Sequence, residues 1–154
     1  MCYLYFMNLN DAQKTLIEEY AITLQNFGNT TAVGRITGYL LIAEPPFLSF
    51  DQVVKDLQLS KGSVSNTLKV MELQGQITYF TIPGDRKRYF KLATSNMKYL
   101  LEKQVKAIDS YTGLIKKTLK MRTGKNASYE KEIEQLVNNY NKIKEKLNEA
   151  LTEI

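Results

Sequence analysis

The sequence predicts a mainly α fold with one small β-hairpin, and three observations predict it. Apolar residues recur at intervals of three and four over most of the 154 residues. The period changes once, between Ile77 and Leu92, where β-branched and aromatic residues flank Pro83-Gly84-Asp85. Ser, Asn, Gly and Pro stand where helices would be capped or ended.

In order along the chain, Asn10 or Asp11 offers a side-chain oxygen to the free N–H groups of a first helix. Leu16, Ile17, Tyr20, Ala21, Leu24 and Phe27 then follow at helical spacing until Gly28-Asn29. A second helix is expected from Val33 to Ala43, stopped by Pro45-Pro46. Gly34 and Gly38 share one face of it and read as packing glycines. Ser49 opens a third helix, with Gln52 placed to complete a capping box and Val53, Val54 and Leu57 as its apolar side. Gln58-Leu59 connect it to a fourth, which Ser60 caps and Gly75 ends. Val64, Leu68 and Met71 form the buried stripe of that fourth helix.

Strands are expected over Ile77 to Ile82 and Arg86 to Leu92, joined by the turn at Pro83-Gly84-Asp85. From Thr94 the chain is helical again, with Leu101, Val105, Ile108, Thr112, Ile115 and Leu119 in steps of four and three. After Thr123-Gly124-Lys125-Asn126, Ser128 is expected to cap a last helix. There Ile133, Tyr140, Leu147 and Ile154 lie seven apart, with Leu136, Ile143 and Ala150 interleaved. This heptad pattern implies helix packing or dimerisation.

Composition excludes several functions. The chain holds no histidine, the commonest general base and metal ligand. Its one cysteine, Cys2, can form neither a disulfide nor a Cys-rich zinc site within the chain. With no Gly-rich phosphate loop and no paired-carboxylate motif either, no catalytic, cofactor-binding or metal residues are assigned, and an enzyme is not expected. No stretch approaches the roughly 20 apolar residues of a membrane span, and the short opening MCYLYF lacks the basic start of a signal peptide, so a cytoplasmic location is expected.

Net charge is +5, which favours an anionic partner. Between Ser49 and Leu92 seven Lys/Arg face four acidic residues, so +3 of that charge falls in under a third of the chain. Two helices, a short turn and a hairpin make a winged helix-turn-helix, and the second helix of such a pair enters the major groove of double-stranded DNA. Its face away from Val64, Leu68 and Met71 carries Lys61, Gly62, Ser63, Ser65, Asn66 and Lys69. Gly62 would let the backbone approach a phosphate. Asn66 can bond adenine, and the serines suit phosphates or bases. Arg86, Lys87 and Arg88 at the hairpin tip would reach the DNA backbone or minor groove.

On three segments, GRITGYLLIAEPP (Gly34 to Pro46), LSKGSVSNTLKVMELQG (Leu59 to Gly75) and PGDRKRYF (Pro83 to Phe90), the chain resembles the MarR superfamily, and within it the GbsR-type branch. The resemblance runs from about Leu9 to Met121. It implies a homodimeric transcription regulator, a repressor released by a small-molecule effector, with a winged-helix body between N- and C-terminal dimerisation helices. Residues 1–32 would be an arm and dimerisation helix, 33–93 the DNA-binding domain and 94–154 the C-terminal dimerisation region. Ser60 to Lys69 would be the recognition helix and Arg86 to Arg88 the wing. The Leu-Thr that often closes the second wing strand in that superfamily reads Leu92-Ala93-Thr94 here.

Plainer readings stand beside these. Ser49 and Ser60 are explained by capping alone, and Asp85 by holding the turn or orienting Arg86. The GbsR resemblance points to choline- or betaine-like effectors, which bind aromatic faces. Yet Tyr20, Tyr39, Tyr99 and Tyr111 lie in helices and read as core. Residues 1–6 read as an arm on a partner chain, with Met7 as an alternative start. The alternative to DNA is a winged-helix module that uses the same surface on a protein partner.

Overall fold

A computed structural model describes residues 8–154 of the chain, in two compact units: one through Thr94 and one from Ser95 to Ile154. The expected arm and alternative start lie outside the described residues. In the first unit Asn10 caps α1 (Asp11–Asn26). Its Oδ1 accepts the Gln13 N–H at 2.8 Å, while the Gln13 side chain accepts the Asn10 N–H at 3.0 Å. Gly28, at φ +83°, closes the helix: its N–H reaches the Gln25 carbonyl, and the Asn29 N–H reaches that of Leu24.

The second helix, α2 (Thr31–Ile42), begins before the expected Val33 because Thr30 is the cap, its Oγ1 accepting the Val33 N–H. This helix is buried on most sides: Val33, Ile36, Tyr39 and Leu40 all enter the core. Gly34 and Gly38 are packing glycines. A Cβ on Gly34 would lie 2.5 Å from the Ala21 Cα, and one on Gly38 would lie 3.0 Å from the Tyr20 ring. Arg35 closes the α1–α2 contact with two bonds to Glu18, at 2.8 and 2.9 Å.

The sequence reading missed a strand. The two residues of β1 (Leu48–Ser49) pair with β3 (Arg88–Leu92), which also pairs with β2 (Ile77–Thr81). The antiparallel sheet is thus three-stranded, with β3 in the middle. Two residues after Pro45-Pro46 have no period to read. Ser49 both ends β1 and caps α3 (Phe50–Asp56) through the expected capping box. Asp56 accepts the Tyr39 O–H at 2.5 Å, tying the end of α3 to α2. The turn holds Gln58 at φ +52°, and Ser60 caps α4 (Lys61–Leu73). Val64, Leu68 and Met71 are buried as expected, in one cluster with Ile36, Val53, Ile77 and Phe90. Gly75, at φ +74°, ends α4 as the residue just past its cap, Gln74. The Gly75 and Gln76 N–H groups bond the Glu72 and Met71 carbonyls, and the chain turns into β2.

The second unit is a helical hairpin of α5 (Met97–Met121) and α6 (Ala127–Glu153), preceded by a 3-10 turn at Thr94–Asn96. Asn126, not Ser128, caps α6: its Oδ1 accepts the Tyr129 N–H, and Ser128 sits inside the first turn. The expected stripe of α5 is half-buried to buried, with Thr112 bonded back to the Ile108 carbonyl. The heptad face of α6 divides. Ile133, Tyr140 and Leu147 turn inward with Val137, whereas Leu136, Ile143 and Ile154 stay exposed. Tyr140 meets Tyr111 edge-on at 5.3 Å, and Lys144 reaches Asp109 at 2.7 Å. Tyr39 is core, but Tyr99 and Tyr111 are surface residues, since α5 has only one neighbour within its unit to cover them. Among the described residues no helix is long and apolar enough to cross a membrane, and no three His, Cys, Asp or Glu gather as a metal site would require.

Candidate nucleic-acid interface

Helix α4 has one buried stripe and two exposed lanes. Lys61, Ser65 and Lys69, four apart, form a basic flank, and all three are exposed. Ser63, Asn66, Val70 and Leu73, at i, i+3, i+7 and i+10, form a second lane across the outward side. Asn66 is exposed there and Ser63 half-buried. Ser60 acts as a cap, its Oγ accepting the Ser63 N–H at 3.1 Å, and Ser49 is buried in its capping box, so the plain reading of both serines holds. Gly62 differs from the glycines of α2: a Cβ placed on it meets nothing within 4 Å. Nothing inside the fold requires a glycine there.

The hairpin tip is built around Asp85. The Asp85 N–H bonds the Ile82 carbonyl, and Gly84 takes φ +84° to let the chain turn. The Asp85 carboxylate then accepts the Tyr89 O–H at 2.6 Å and the Lys87 N–H at 2.9 Å. Those two bonds hold the Asp85 carboxyl below the usual carboxylate range, the Tyr89 bond contributing most. The same bond, helped by burial, pushes the Tyr89 phenol up to about 12. Tyr89 is buried between Phe47 and Phe80, at ring distances of 5.5 and 5.7 Å. Asp85 therefore holds the turn, one of its two expected tasks.

This turn delays strand pairing to Thr81 opposite Arg88, so β3 starts at Arg88 and not at Arg86. The three wing cations differ as a result. Arg88 belongs to the strand, with its guanidinium 5.2 Å from the Tyr79 ring centre and 5.7 Å from that of Phe90. Lys87 lies 3.8 Å from the Asp51 carboxylate, a loose exposed pair. Arg86 is exposed at the tip and meets no carboxylate among the described residues. The recognition-helix candidates and the wing share one core, because α4 leads through Gly75 directly into β2.

Sequence reasoning passed over Val70 and Leu73. They are 44% and 70% exposed and complete the outward lane of α4, a pattern that their spacing from Ser63 and Asn66 could have revealed. A cavity of about 400 Å³ lies between α1, α2 and the end of α3, lined by residues that include Ile17, Glu18, Arg35, Asp56 and Leu57. Among the described residues no aromatic ring lines it, as a cage for a quaternary ammonium group would need.

No protein-family model matches the chain. Over 63 residues it is 32% identical to the HTH-type transcriptional regulator MmpR5 of Mycobacterium tuberculosis (strain ATCC 25618 / H37Rv), a stretch that covers 41% of this chain and 38% of the relative. The chain thus matches under two fifths of that protein's length. The crystal structure of a transcriptional regulator overlays on 92% of this chain and 97% of its own, with a TM-score of 0.77 and 18% identity. MepR, a transcription regulator of the Staphylococcus aureus multidrug efflux pump MepA, overlays on 88% of the chain and 93% of its own at a TM-score of 0.44 and 24% identity, too loosely to add to that likeness. The fold is a winged helix-turn-helix: mostly helical, with a three-stranded antiparallel wing sheet.

Proposed function

We propose that this chain is a sequence-specific DNA-binding transcription regulator of the MarR superfamily, akin to its GbsR-type branch. One observation carries the reading: α4 turns outward a face of small polar groups that serve no purpose inside the fold. Gly62 has no neighbour to make room for, and Ser65 and Asn66 are exposed. Base edges in a major groove are the surface such groups fit. Lys61 and Lys69 on the flank, with Arg86 and Lys87 on the wing, would hold phosphates. Arg88, drawn onto the sheet, would support the wing and meet the duplex only at its margin.

The regulator would act as a homodimer, with 33–93 as its DNA-binding domain and 1–32 and 94–154 supplying the dimer contacts. The exposed Leu136 and Ile143 of α6 favour a second copy as their cover. Dimer symmetry would place two recognition helices about one DNA turn apart on a near-palindromic site. Repression, with release by a small effector, completes the reading, and no enzymatic step is assigned. Val70 and Leu73 favour a second reading, a winged-helix module that binds a protein on the same face.

Fluorescence anisotropy with a duplex from upstream of the chain's own gene, against a scrambled duplex at low and near-physiological salt, separates the two. Tighter binding to the upstream duplex that persists at the higher salt is the expected result. No DNA binding even at low salt, with a stable heteromeric complex on pull-down, would transfer the assignment to the protein-binding module.

A further inference from the structure

The outward lane of α4 changes chemistry along its length. Ser63 and Asn66 carry donors and acceptors. Val70, about 6 Å further along the axis from Asn66, and Leu73 beyond it carry only hydrocarbon. Neither apolar residue belongs to the core: the buried stripe is Val64, Leu68 and Met71, and Val70 and Leu73 are 44% and 70% exposed. Amphipathic packing of α4 by itself would put polar residues at these two outward positions. On a helix laid in a major groove, an apolar side chain has one favourable partner among the base edges, the C5-methyl of thymine. Every other group there is a hydrogen-bonding atom, which hydrocarbon would desolvate without replacing its bond.

We propose that Val70 is a specificity-determining residue that packs on a thymine methyl group, with Leu73 widening that apolar contact at the end of the helix. The proposal rests on the DNA-binding reading of α4. It makes the half-site composite: a hydrogen-bonded portion read by Ser63 and Asn66, then a thymine read by shape and hydrocarbon.

The test uses the full chain. Binding sites are selected from a random duplex library, and each thymine of the recovered site is replaced in turn by deoxyuridine, which lacks only the methyl group. Wild type should lose affinity about fourfold at one thymine in each half-site, the effect of exposing one buried carbon. V70A should bind the thymine site more weakly by about the same factor and be indifferent to uracil at that position. An enriched site at which no thymine is methyl-sensitive would overturn the Val70 assignment and leave the DNA-binding reading intact. The same holds if V70A keeps the wild-type sensitivity. A library that returns no enriched sequence would overturn both. The uracil scan on wild type decides the matter even if V70A folds poorly.

Discussion

Helices α2 and α4 are near neighbours in one core, and each carries a glycine in its first turns. Around Gly34 of α2 the backbone of α1 leaves no room for a methyl group; around Gly62 of α4 there is open space. The two glycines look alike in sequence and do opposite things. One lets two helices of the same chain touch, and the other leaves a surface uncovered. A helix buried on most sides holds its fold together. A helix buried on one side, with small polar groups on the other, is shaped for something outside the molecule.

The largest effect should come from α2. G34A would force a methyl carbon to within 2.5 Å of the Ala21 Cα, and backbone must move. A loss of about 3 kcal/mol in urea unfolding is expected. G62A should instead leave stability unchanged or raise it by about 0.5 kcal/mol, since alanine is the better helix former. Its effect should appear in DNA affinity. Equal destabilisation by the two substitutions would erase the distinction drawn between the helices.

Within the interface, N66A should reduce discrimination between the selected site and random DNA by about 1–3 kcal/mol, about fivefold or more, if adenine is read in two bonds. R86A should weaken binding to both and lower the salt slope by about one. Competition anisotropy on the two duplexes separates these outcomes, and equal losses for N66A would remove Asn66 from the reading lane.

The wing's internal support predicts a smaller effect. Y89F removes the O–H held by Asp85 and should cost less affinity than R86A. Because Asp85 has a lower carboxyl pKa in the folded wing than in the unfolded chain, its contribution is complete above the ordinary Asp range. It is lost as pH falls through the depressed folded value. Seen from Tyr89, the same bond is complete below the phenol's ordinary pKa near 10 and lost as pH rises through about 12. D85N should return one late-titrating tyrosine toward pH 10 in an ultraviolet absorbance titration. The turn between α3 and α4 bears on stability alone. Q58G relieves a left-handed residue at φ +52° and should add up to about 1 kcal/mol in thermal unfolding, without touching DNA affinity.

What could be read from the sequence was whatever depends on near neighbours. The Ser49–Gln52 capping box, the Ser60 cap and the Val64/Leu68/Met71 stripe all rest on groups three, four or seven residues apart, and all appear where expected. Features set by distant partners were not legible. β1 exists only because β3 passes beside it. Asn126 and Ser128 are equally good caps by type, and only the direction of the incoming chain chose between them. Arg88 left the tip because Asp85 bonded forward to Tyr89. The heptad of α6 was visible as a period, but not as two faces, one turned inward and one left exposed.

The bond from Tyr39 to Asp56 has a mechanical consequence. At seven residues α3 is too short to persist alone, so it is held from outside: at its start by Ser49 in the sheet, and at its end by Tyr39 in the last turn of α2. A strut pinned at both ends passes displacement on instead of absorbing it. Any tilt of α2 would therefore carry α3, and through the short turn α4, as one rigid piece. Amide hydrogen exchange should show α2, α3 and α4 opening together, and Y39F should let α3 exchange ahead of the rest.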